Sequence, residues 1–445
     1  RTGYQCNRWP RNEITGMDDV KIMEQLNHAD QKARLEGLEN WIQNHVSGSV
    51  DHEFVDVNNH IHTWYSFSPY SPTKAVMMAV KAGLATAGIM DHDSVAGVQE
   101  FLQAGQIAGL PVTCGMELRV SMKNTGLVGK RINNPDQIDV AYMAIHGIPH
   151  NRLQNVAEFC KPIFEQREIR NRKMIRRINE ITGVYIGEMD YDKDVLPLSK
   201  AHEGGSVTER HLLFALAGKM MSVFGKGPKV TAFLQDQMEL YLSNKNVAFL
   251  DDPDNLYYQY DLLGTLKSGL VERFYIPAND IECPDVKEVL GFVDEIGAVS
   301  AYAYLGDVKD SVTGDKKAQT FEDGYLNELF SELKRLGFHA VTYMPSRNTL
   351  QQLQRVKILC NTFGLAEISG EDINSPRQKF ICTALRDEKF QNLIRSTYAL
   401  IQHEYMATLD KSLSLFSKES ISKVPDLKKR VDQYAQQFLD RRSST

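Results

Sequence analysis

Histidines and carboxylates that could bind a metal ion occur in four short motifs of the sequence. The first is His60-Ile61-His62. Because alternate side chains of an extended chain point to the same side, both imidazoles could reach one ion. Two unrelated polar side chains at a strand end are the alternative. The second motif is Asp91-His92-Asp93, whose carboxylates could orient and polarise the imidazole between them. A plain helix N-cap by Asp93 is the alternative here.

Two acidic positions complete the set. Glu117 is a lone acid in an otherwise apolar segment. A buried Glu without a partner is rare, so a metal or another cation is expected beside it. The other position is Asp372, in the polar loop 369–374 that follows a predicted strand; an ordinary turn is the alternative. The four motifs together are more specific than any one of them.

Short strands that alternate with helices are predicted to position these motifs. The alternation is typical of βα units in a parallel sheet or barrel. Active sites in such folds lie at the carboxyl ends of the strands, where the histidine motifs fall. The predicted strands are 54–57, 87–90, 112–120, 140–148, 298–304, 340–344 and 365–368, and helical patterns lie between them at 72–84, 94–108, 284–296, 322–336 and 348–363.

Five segments are predicted along the chain. The βα pattern is interrupted once by a mostly helical insertion, and helical extensions flank it on both sides. The insertion leaves and rejoins the βα body beside the histidine motifs, so it is expected to shape any binding site there. The segments are the N-terminal extension 1–53 with one helix at 17–48, the first βα part 54–150, the insertion 151–283, the second βα part 284–384 and the C-terminal extension 385–445.

The composition is that of an ordinary globular protein. Of 445 residues, 51 are Lys or Arg and 57 are Asp or Glu, which gives a formal net charge of −6, and 42% are hydrophobic. These values exclude a disordered or fibrous chain and give no general attraction to nucleic acid or to an anionic membrane. The strictly apolar runs, such as 75–80, are far shorter than the ~20 residues of a membrane span. The first residues lack the apolar stretch of a signal peptide. Six cysteines without a CxxC motif suit a reducing compartment, so a cytoplasmic location is predicted.

The motifs in this order resemble those of the PHP family, which is named for polymerase and histidinol phosphatase. The stretches HIHT at 60–63, IMDHDSVAG at 89–97 and GMEL at 115–118 are similar to the family's HxHT, TDHD and GxE motifs. The resemblance covers residues 54–148 and about 284–375. It implies an α/β fold, a distorted (β/α)7 barrel of PHP type with a helical insertion and helical N- and C-terminal extensions. It also implies a metal-dependent hydrolase of phosphate esters, with up to three metals at the strand ends.

The resemblance also implies a ligand set. The residues matching the first metal of the family are all present: His60, His62, Glu117 and Asp372. The second metal would share Glu117 and take His146, with His150 as a rival, but Tyr304 stands where the family has another histidine. At the third metal, His92 is present, whereas Phe67 and Asn374 replace ligands. Phe is no ligand and neutral Asn a poor one, so we expect one or two divalent ions, Zn, Mn or Fe.

Further residues are assigned to acid/base chemistry and to substrate binding. His92, Asp93 and His146 could act as acid/base groups. Some PHP phosphatases that act on nucleotides carry a helical insert with an Arg-rich helix and an Arg-x-His segment, to which residues 167–178 and Glu209-Arg210-His211 are similar. Arg210 and His211 are therefore candidate phosphate contacts. The alternatives are a solvated helix face and an ordinary helix start. Arg347 follows a predicted strand and could also meet an anion.

The predicted function is metal-dependent hydrolysis of a small phosphorylated substrate, with nucleotide-like molecules among the candidates. Two alternatives stay open. The substitutions at Phe67, Tyr304 and Asn374 favour a PHP-like module that binds without hydrolysing. The same barrel could also hydrolyse a substrate without phosphate. The expected partner is a small anionic or phosphorylated ligand; neither a membrane nor a nucleic acid is expected.

Overall fold

The computed structural model describes residues 17–45, 55–308 and 320–443. Helices of two extensions and an insertion surround one β-sheet. The strands are β1 (Asp56–Ile61), β2 (Leu84–His92), β3 (Val112–Ser121), β4 (Val140–His146), β5 (Val299–Ala303), β6 (Ala340–Tyr343) and β7 (Ala366–Ser369). The helices are α1 (Met17–Gln25), α2 (Gln31–His45), α3 (Pro72–Ala82), α4 (Val98–Ala108), α5 (Leu153–Ile186), α6 (Glu209–Phe224), α7 (Pro228–Ala232), α8 (Asn244–Asp251), α9 (Tyr258–Phe274), α10 (Val286–Ile296), α11 (Leu326–Leu336), α12 (Leu350–Phe363), α13 (Gln391–Leu409), α14 (Lys418–Lys423) and α15 (Leu427–Ser443). The predicted start of the first strand at Phe54 and the predicted helix end at 46–48 lie outside the described residues.

The seven strands form a single sheet in chain order. β1, β2 and β3 are parallel to one another, as are β5, β6 and β7, whereas β4 is antiparallel to both of its neighbours. The expectation of an all-parallel sheet is therefore wrong at β4. The connection between β3 and β4, residues 122–139, contains no helix. Without a crossover helix, the chain returns beside the strand that it has just left and runs in the opposite direction.

The sheet closes on itself through the segment after β7. The N–H of His62 donates to the carbonyl of Ile373 at 2.9 Å, and the N–H of Ile373 donates to the carbonyl of His60 at 3.1 Å. Gly370 permits this approach, because a Cβ there would lie 2.5 Å from the Cβ of His60. The predicted α/β barrel of seven strands, distorted by β4, is thus confirmed, and its closure brings the first and fourth motifs together.

Local sequence signals explain where several helices begin. Pro72 is the first residue of α3, and the Ser71 side chain accepts from the Lys74 N–H at 2.9 Å. α4 begins after Gly97, so the alternative that Asp93 caps this helix is wrong. The single helix predicted at 17–48 is two helices, because the Asp30 carboxylate accepts the Ala33 N–H at 3.3 Å and starts α2 anew.

The three largest groups of buried side chains among the described residues lie in different parts of the fold. The largest lies between the sheet and its surrounding helices. A second fills the barrel interior with small and apolar residues that include Met90, Ala144 and Ala301, and Leu400 of α13 contacts it. The third belongs to the insertion, where α5, α6 and α9 pack together. Phe67, which follows β1, also lies in this third group, so the insertion is anchored directly beside the first histidine motif.

Candidate metal centre

His60, His62 and Glu117 converge at the mouth of the barrel. Their ligand atoms lie within 4.8 Å of one another. The two Nε2 atoms are 3.2 Å apart, and Glu117 Oε2 lies 3.7 Å from His60 Nε2 and 4.0 Å from His62 Nε2. Glu117 reaches this position because it lies within the paired region of β3, opposite His92 of β2. The side chains are 10%, 1% and 12% exposed, respectively, so the cluster is largely shielded from water.

Asp372 adds a second carboxylate to the cluster. Its Oδ1 lies 3.2 Å from His62 Nε2, and the Nδ2 of Asn374 donates to the same oxygen at 2.7 Å. Burial opposes ionisation, but the hydrogen bond with His62 and the nearby positive charges hold the pKa of the Asp372 carboxyl well below its usual range. Asp372 therefore faces the histidines as a carboxylate.

His92 lies on the other side of Glu117. Its Nδ1 is 3.2 Å from Glu117 Oε2, and its ring centroid is 4.7 Å from that of His62. Burial lowers the pKa of His92 to about 3, although Glu117 acts in the opposite direction. Burial also disfavours the Glu117 carboxylate, but the three neighbouring histidines lower its pKa to about 2. A neutral imidazole beside a carboxylate is the protonation pattern that a metal site needs.

A buried hydrogen-bonded chain orients His62 from behind. Ser66 Oγ donates to Asp91 Oδ1 at 2.7 Å, so the hydroxyl is left to accept from His62 Nδ1 at 3.2 Å. Thr63 holds the same carboxylate through its N–H at 2.7 Å and its hydroxyl at 2.6 Å. With Nδ1 protonated, the lone pair of Nε2 points into the cluster. The orienting carboxylate expected beside His92 thus serves His62 instead.

A model of the PHP domain family matches residues 58–226. Residues 58–226 form a PHP domain. The match begins just before the first histidine motif and extends through α6, so it includes every histidine of the cluster and Glu117.

Comparisons with other known proteins give distant likenesses. No curated protein sequence matches the chain significantly. A structure described as a candidate metal-dependent phosphoesterase from Bifidobacterium adolescentis aligns with a TM-score of 0.49 and 19% identity, over 76% of this chain and 96% of that one. An amidohydrolase from Chromobacterium violaceum, with bound sulfate and no metal, aligns with a TM-score of 0.49 and 16% identity, over 74% of this chain and 90% of that one.

His146 of the PHP domain lies inside the barrel below Glu117. It is paired with Gly115 on β3, so its side chain is on the same face of the sheet as Glu117. Its Nε2 is buried without a hydrogen-bond partner, and burial lowers its pKa to about 3. His150, the rival candidate, pairs instead with Glu404 of α13, with 2.6 Å between Nε2 and Oε1.

The donor set of the cluster fits a divalent transition-metal ion. Two imidazoles and two carboxylates suit Zn, Mn or Fe. A buried imidazole nitrogen without a partner, as in His146, costs free energy unless something binds it. The residues His60, His62, Glu117 and Asp372 would hold one ion, and His146 with Glu117 would reach a second.

Phe67, Tyr304 and Asn374, which the sequence resemblance places where the family has metal ligands, have contacts of their own. The Phe67 ring packs against His211 and Phe214 of α6, with ring centroids 5.0 and 5.5 Å apart. Tyr304 is buried in the layer between sheet and helices, and its hydroxyl donates to Asp323 at 2.7 Å. Phe67 anchors the insertion, and Tyr304 points away from the cluster. Asn374 alone of the three remains beside it.

Arg210 approaches the cluster from the insertion. It is the second residue of α6, and its positive charge is among those that lower the pKa of Asp372. The Glu209 carboxylate is held by Arg170, with 2.6 Å between Nη2 and Oε1, and lies 3.6 Å from Arg119 Nη1. The start of α6 is thereby fixed to the barrel and to α5. The phosphate contact assigned to Arg210 remains a prediction.

A buried network of arginines and carboxylates lies beside the PHP site, and sequence analysis did not find it. Glu282 Oε1 accepts from Arg119 Nη2 at 2.5 Å and from Arg167 Nε at 3.0 Å, and Glu282 Oε2 accepts from Arg170 Nε at 2.7 Å. Arg167 also pairs with Asp93. The signal that identified Glu117, a charge within an apolar strand, applies equally to Arg119 two residues later.

Three further predicted site residues make contacts of their own. Asp93 engages Arg167, and its backbone has a left-handed φ of 54°. The Nδ1 of His211 accepts the N–H of Thr208 at 3.0 Å in a capping box at the start of α6. Arg347 donates through Nε to the carbonyl of Leu305 at 3.0 Å. The substrate contacts assigned to His211 and Arg347 remain predictions.

Proposed function

We propose that the protein is a metal-dependent phosphoesterase that hydrolyses a small phosphorylated substrate at the mouth of the PHP barrel. The PHP domain together with the cluster of His60, His62 and Glu117 supports a metal-dependent hydrolase. We propose a phosphorylated substrate because of the position of Arg210: its positive charge lowers the pKa of Asp372 at the edge of this cluster. A guanidinium group can engage two phosphate oxygens at once. Nucleotide-like molecules are among the candidate substrates.

The site residues would divide the work between holding the ion and holding the substrate. A divalent ion bound there would polarise a phosphoryl oxygen and lower the pKa of a bound water. Ser66 keeps His62 in the tautomer that presents Nε2, and Asn374 keeps Asp372 in place. Arg210 and backbone N–H groups at the start of α6 would receive the phosphate.

His92 and Asp93 would have different roles. The neutral ring of His92, held at Nδ1 beside Glu117, would offer a hydrogen bond to the attacking water or to the leaving oxygen. Asp93 is bound by Arg167, so we propose it as a positioning residue that joins barrel and insertion, in place of the acid/base role expected from sequence. His146 would bind or assist a second ion.

The test is a hydrolysis screen of the metal-loaded protein. Zn²⁺, Mn²⁺ and Fe²⁺ forms would each be assayed with phosphate monoesters, nucleotides, and carboxylic esters and amides without phosphate. Phosphate release that chelation and His60→Ala with His62→Ala abolish supports the proposal. If the metal-loaded protein hydrolyses only the substrates without phosphate, it is a metal-dependent hydrolase of that class and the phosphoesterase proposal is wrong.

The binding-module alternative has its own observation. Phe67 and Tyr304 contribute no donor to the cluster, since both are committed to other contacts. A protein that retains its metal, binds phosphorylated ligands and releases no phosphate from any substrate would be such a module, and the phosphoesterase proposal would be wrong.

A further inference from the structure

We infer that the protein has a second zinc site, formed by Cys114, His150 and Glu404 on the opposite face of β3 from the PHP centre. One sulfur, one nitrogen and one oxygen of these side chains lie within 4.8 Å of one another. Cys114 and Glu117 are three residues apart on β3, so their side chains point to opposite faces. Cys114 lies in the layer outside the barrel, and the two sites share no ligand.

The three residues come from parts of the chain that are far apart in sequence. Cys114 is on β3, His150 lies just before the insertion, at the end of the first βα part, and Glu404 is on α13. The antiparallel return of β4 brings His150 close, since the N–H of Ile148 donates to the carbonyl of Cys114 at 3.2 Å. An ion here would link the barrel to the C-terminal extension at the point where the insertion begins.

Glu404 is held in the orientation of a ligand. Its Oε2 accepts from the Thr113 hydroxyl and from the Cys114 N–H, both at 2.7 Å. Its Oε1 is left to face His150 Nε2 at 2.6 Å. Hydrogen bonds that fix one carboxylate oxygen and aim the other are the usual second layer of a metal site. The side chain of Glu404 is 3% exposed, and buried carboxylates are paired or coordinate metals.

The donor types and their exposure fit Zn²⁺. Thiolate, imidazole and carboxylate are all zinc ligands, and together they leave one tetrahedral position for water. Cys114 is 1% exposed, whereas the His150 side chain is 38% exposed, so an ion can enter on that side. Binding would break the His150–Glu404 hydrogen bond and form bonds from the metal to sulfur, nitrogen and oxygen. The thiol proton, and the second ring proton where the imidazole carries one, would pass to water.

The experiment uses Co²⁺ in place of Zn²⁺. A cobalt ion bound by a thiolate has an intense charge-transfer band in the near ultraviolet, whereas an ion bound only by nitrogen and oxygen does not. The ligands of the PHP centre are histidines and carboxylates, so of the two proposed sites the second is the one that can give this band. We expect reduced, metal-free protein titrated with Co²⁺ to show it.

The variants locate the band. Cys114→Ser should abolish the charge-transfer band and remove about one equivalent of bound metal. The matched control is Cys160, a buried cysteine whose Sγ contacts Met116 Sδ at 3.5 Å. Cys160→Ser should retain the band. His150→Ala replaces a partly exposed side chain and should weaken Co²⁺ binding about tenfold or more in a folded protein. His60→Ala with His62→Ala should keep the band even though the PHP centre is lost, which separates this proposal from the proposed function. A wild-type protein without the band at excess Co²⁺, or a band that persists in Cys114→Ser, would overturn the inference.

Discussion

The Nε2 atom of His60 faces the Glu117 carboxylate, and that of His62 faces the Asp372 carboxylate. We predict that these four side chains bind a metal ion. His60→Ala with His62→Ala should remove at least about one equivalent of metal, because the remaining carboxylates are weaker ligands for a transition ion than the imidazoles. Elemental analysis after gentle purification gives the readout, and His202→Ala, at an exposed histidine, is the control. An unchanged metal content in the double variant would refute the assignment.

The number of ions at the mouth is a separate prediction at the same scale. Phe67 packs against the insertion and the Tyr304 hydroxyl donates to Asp323, so neither residue offers a donor to the cluster. We expect a crystal structure to show one or two ions at the mouth. The position near His92, where a third ion would lie, should be empty or filled by water. Three well-occupied ions at about 2.0–2.2 Å from their ligands would contradict this.

Arg210 is the residue on which substrate affinity is predicted to depend. If it binds the phosphate, Arg210→Ala should lower kcat/KM about tenfold or more, on the order of 1.4 kcal/mol, with the metal content retained. Arg172→Ala is the matched control, since Arg172 lies on the exposed face of α5 and pairs with Glu168 and Asp192. Equal activity in the two variants would show that Arg210 has a surface role only.

At the scale of elements, the insertion is attached to the barrel through Glu282. This carboxylate accepts from Arg119 on β3 and from Arg167 and Arg170 on α5. Burial opposes its ionisation, but the three arginines lower the pKa of Glu282 to about 2. The pairing of barrel and insertion therefore depends on a charge that is present at any physiological pH.

We predict that Glu282→Gln destabilises the protein by about 3 kcal/mol or more, because removing one partner leaves buried arginine charges uncompensated. The nearby Asp280 is the matched control: it is 76% exposed and pairs with Lys123, so Asp280→Asn should cost less than about 1 kcal/mol. Denaturant unfolding of both variants gives the comparison. Similar losses in the two would show that the network contributes little.

At the scale of the whole molecule, His403 ties the C-terminal extension to the barrel. Its Nε2 donates to the carbonyl of Gly147 at 3.1 Å, and its Nδ1 accepts the N–H of Leu415 at 2.9 Å. Both nitrogens are thus satisfied in the neutral ring, and a second proton would break the bond from Leu415. Burial, as the main cause, lowers the pKa of His403 to about 3.

This predicts a loss of stability in acid. The pKa of His403 is about 3 in the fold and about 6.5 in the unfolded chain, so between these values the unfolded chain binds the proton more readily. The free energy of unfolding should therefore fall as the pH decreases below about 6.5, with this residue contributing up to about 1.4 kcal/mol per pH unit. His403→Gln should reduce that slope in metal-free protein, whereas His202→Gln should not. If the free energy of unfolding changes with pH equally steeply in the wild type and in His403→Gln, then His403 does not cause the loss of stability in acid.

Fold class and most of the cluster could be predicted from sequence, because they depend on short-range patterns. Pro72 marks the start of α3, and the alternation at His60-Ile61-His62 places both imidazoles on one face of β1. The direction of β4 relative to its neighbours could not be predicted, because parallel and antiparallel strands can have the same pattern of apolar residues. Arg119 and Glu282 were missed because a buried charge is recognised only when its partner, distant in sequence, is known.

The sequence by itself determined which side chains this protein has for chemistry: the histidine motifs, Glu117 and Asp372, and the βα elements that carry them. Only the tertiary structure decided how they are combined. Barrel closure between Ile373 and β1 sets Asp372 against His62, and the antiparallel β4 separates His146, inside the barrel, from His150, outside it. A pattern of a few neighbouring residues is enough to determine a helix or strand and which of its faces is exposed. Which elements become neighbours depends on packing over the whole chain, because contacts between distant segments form only when the complete core does.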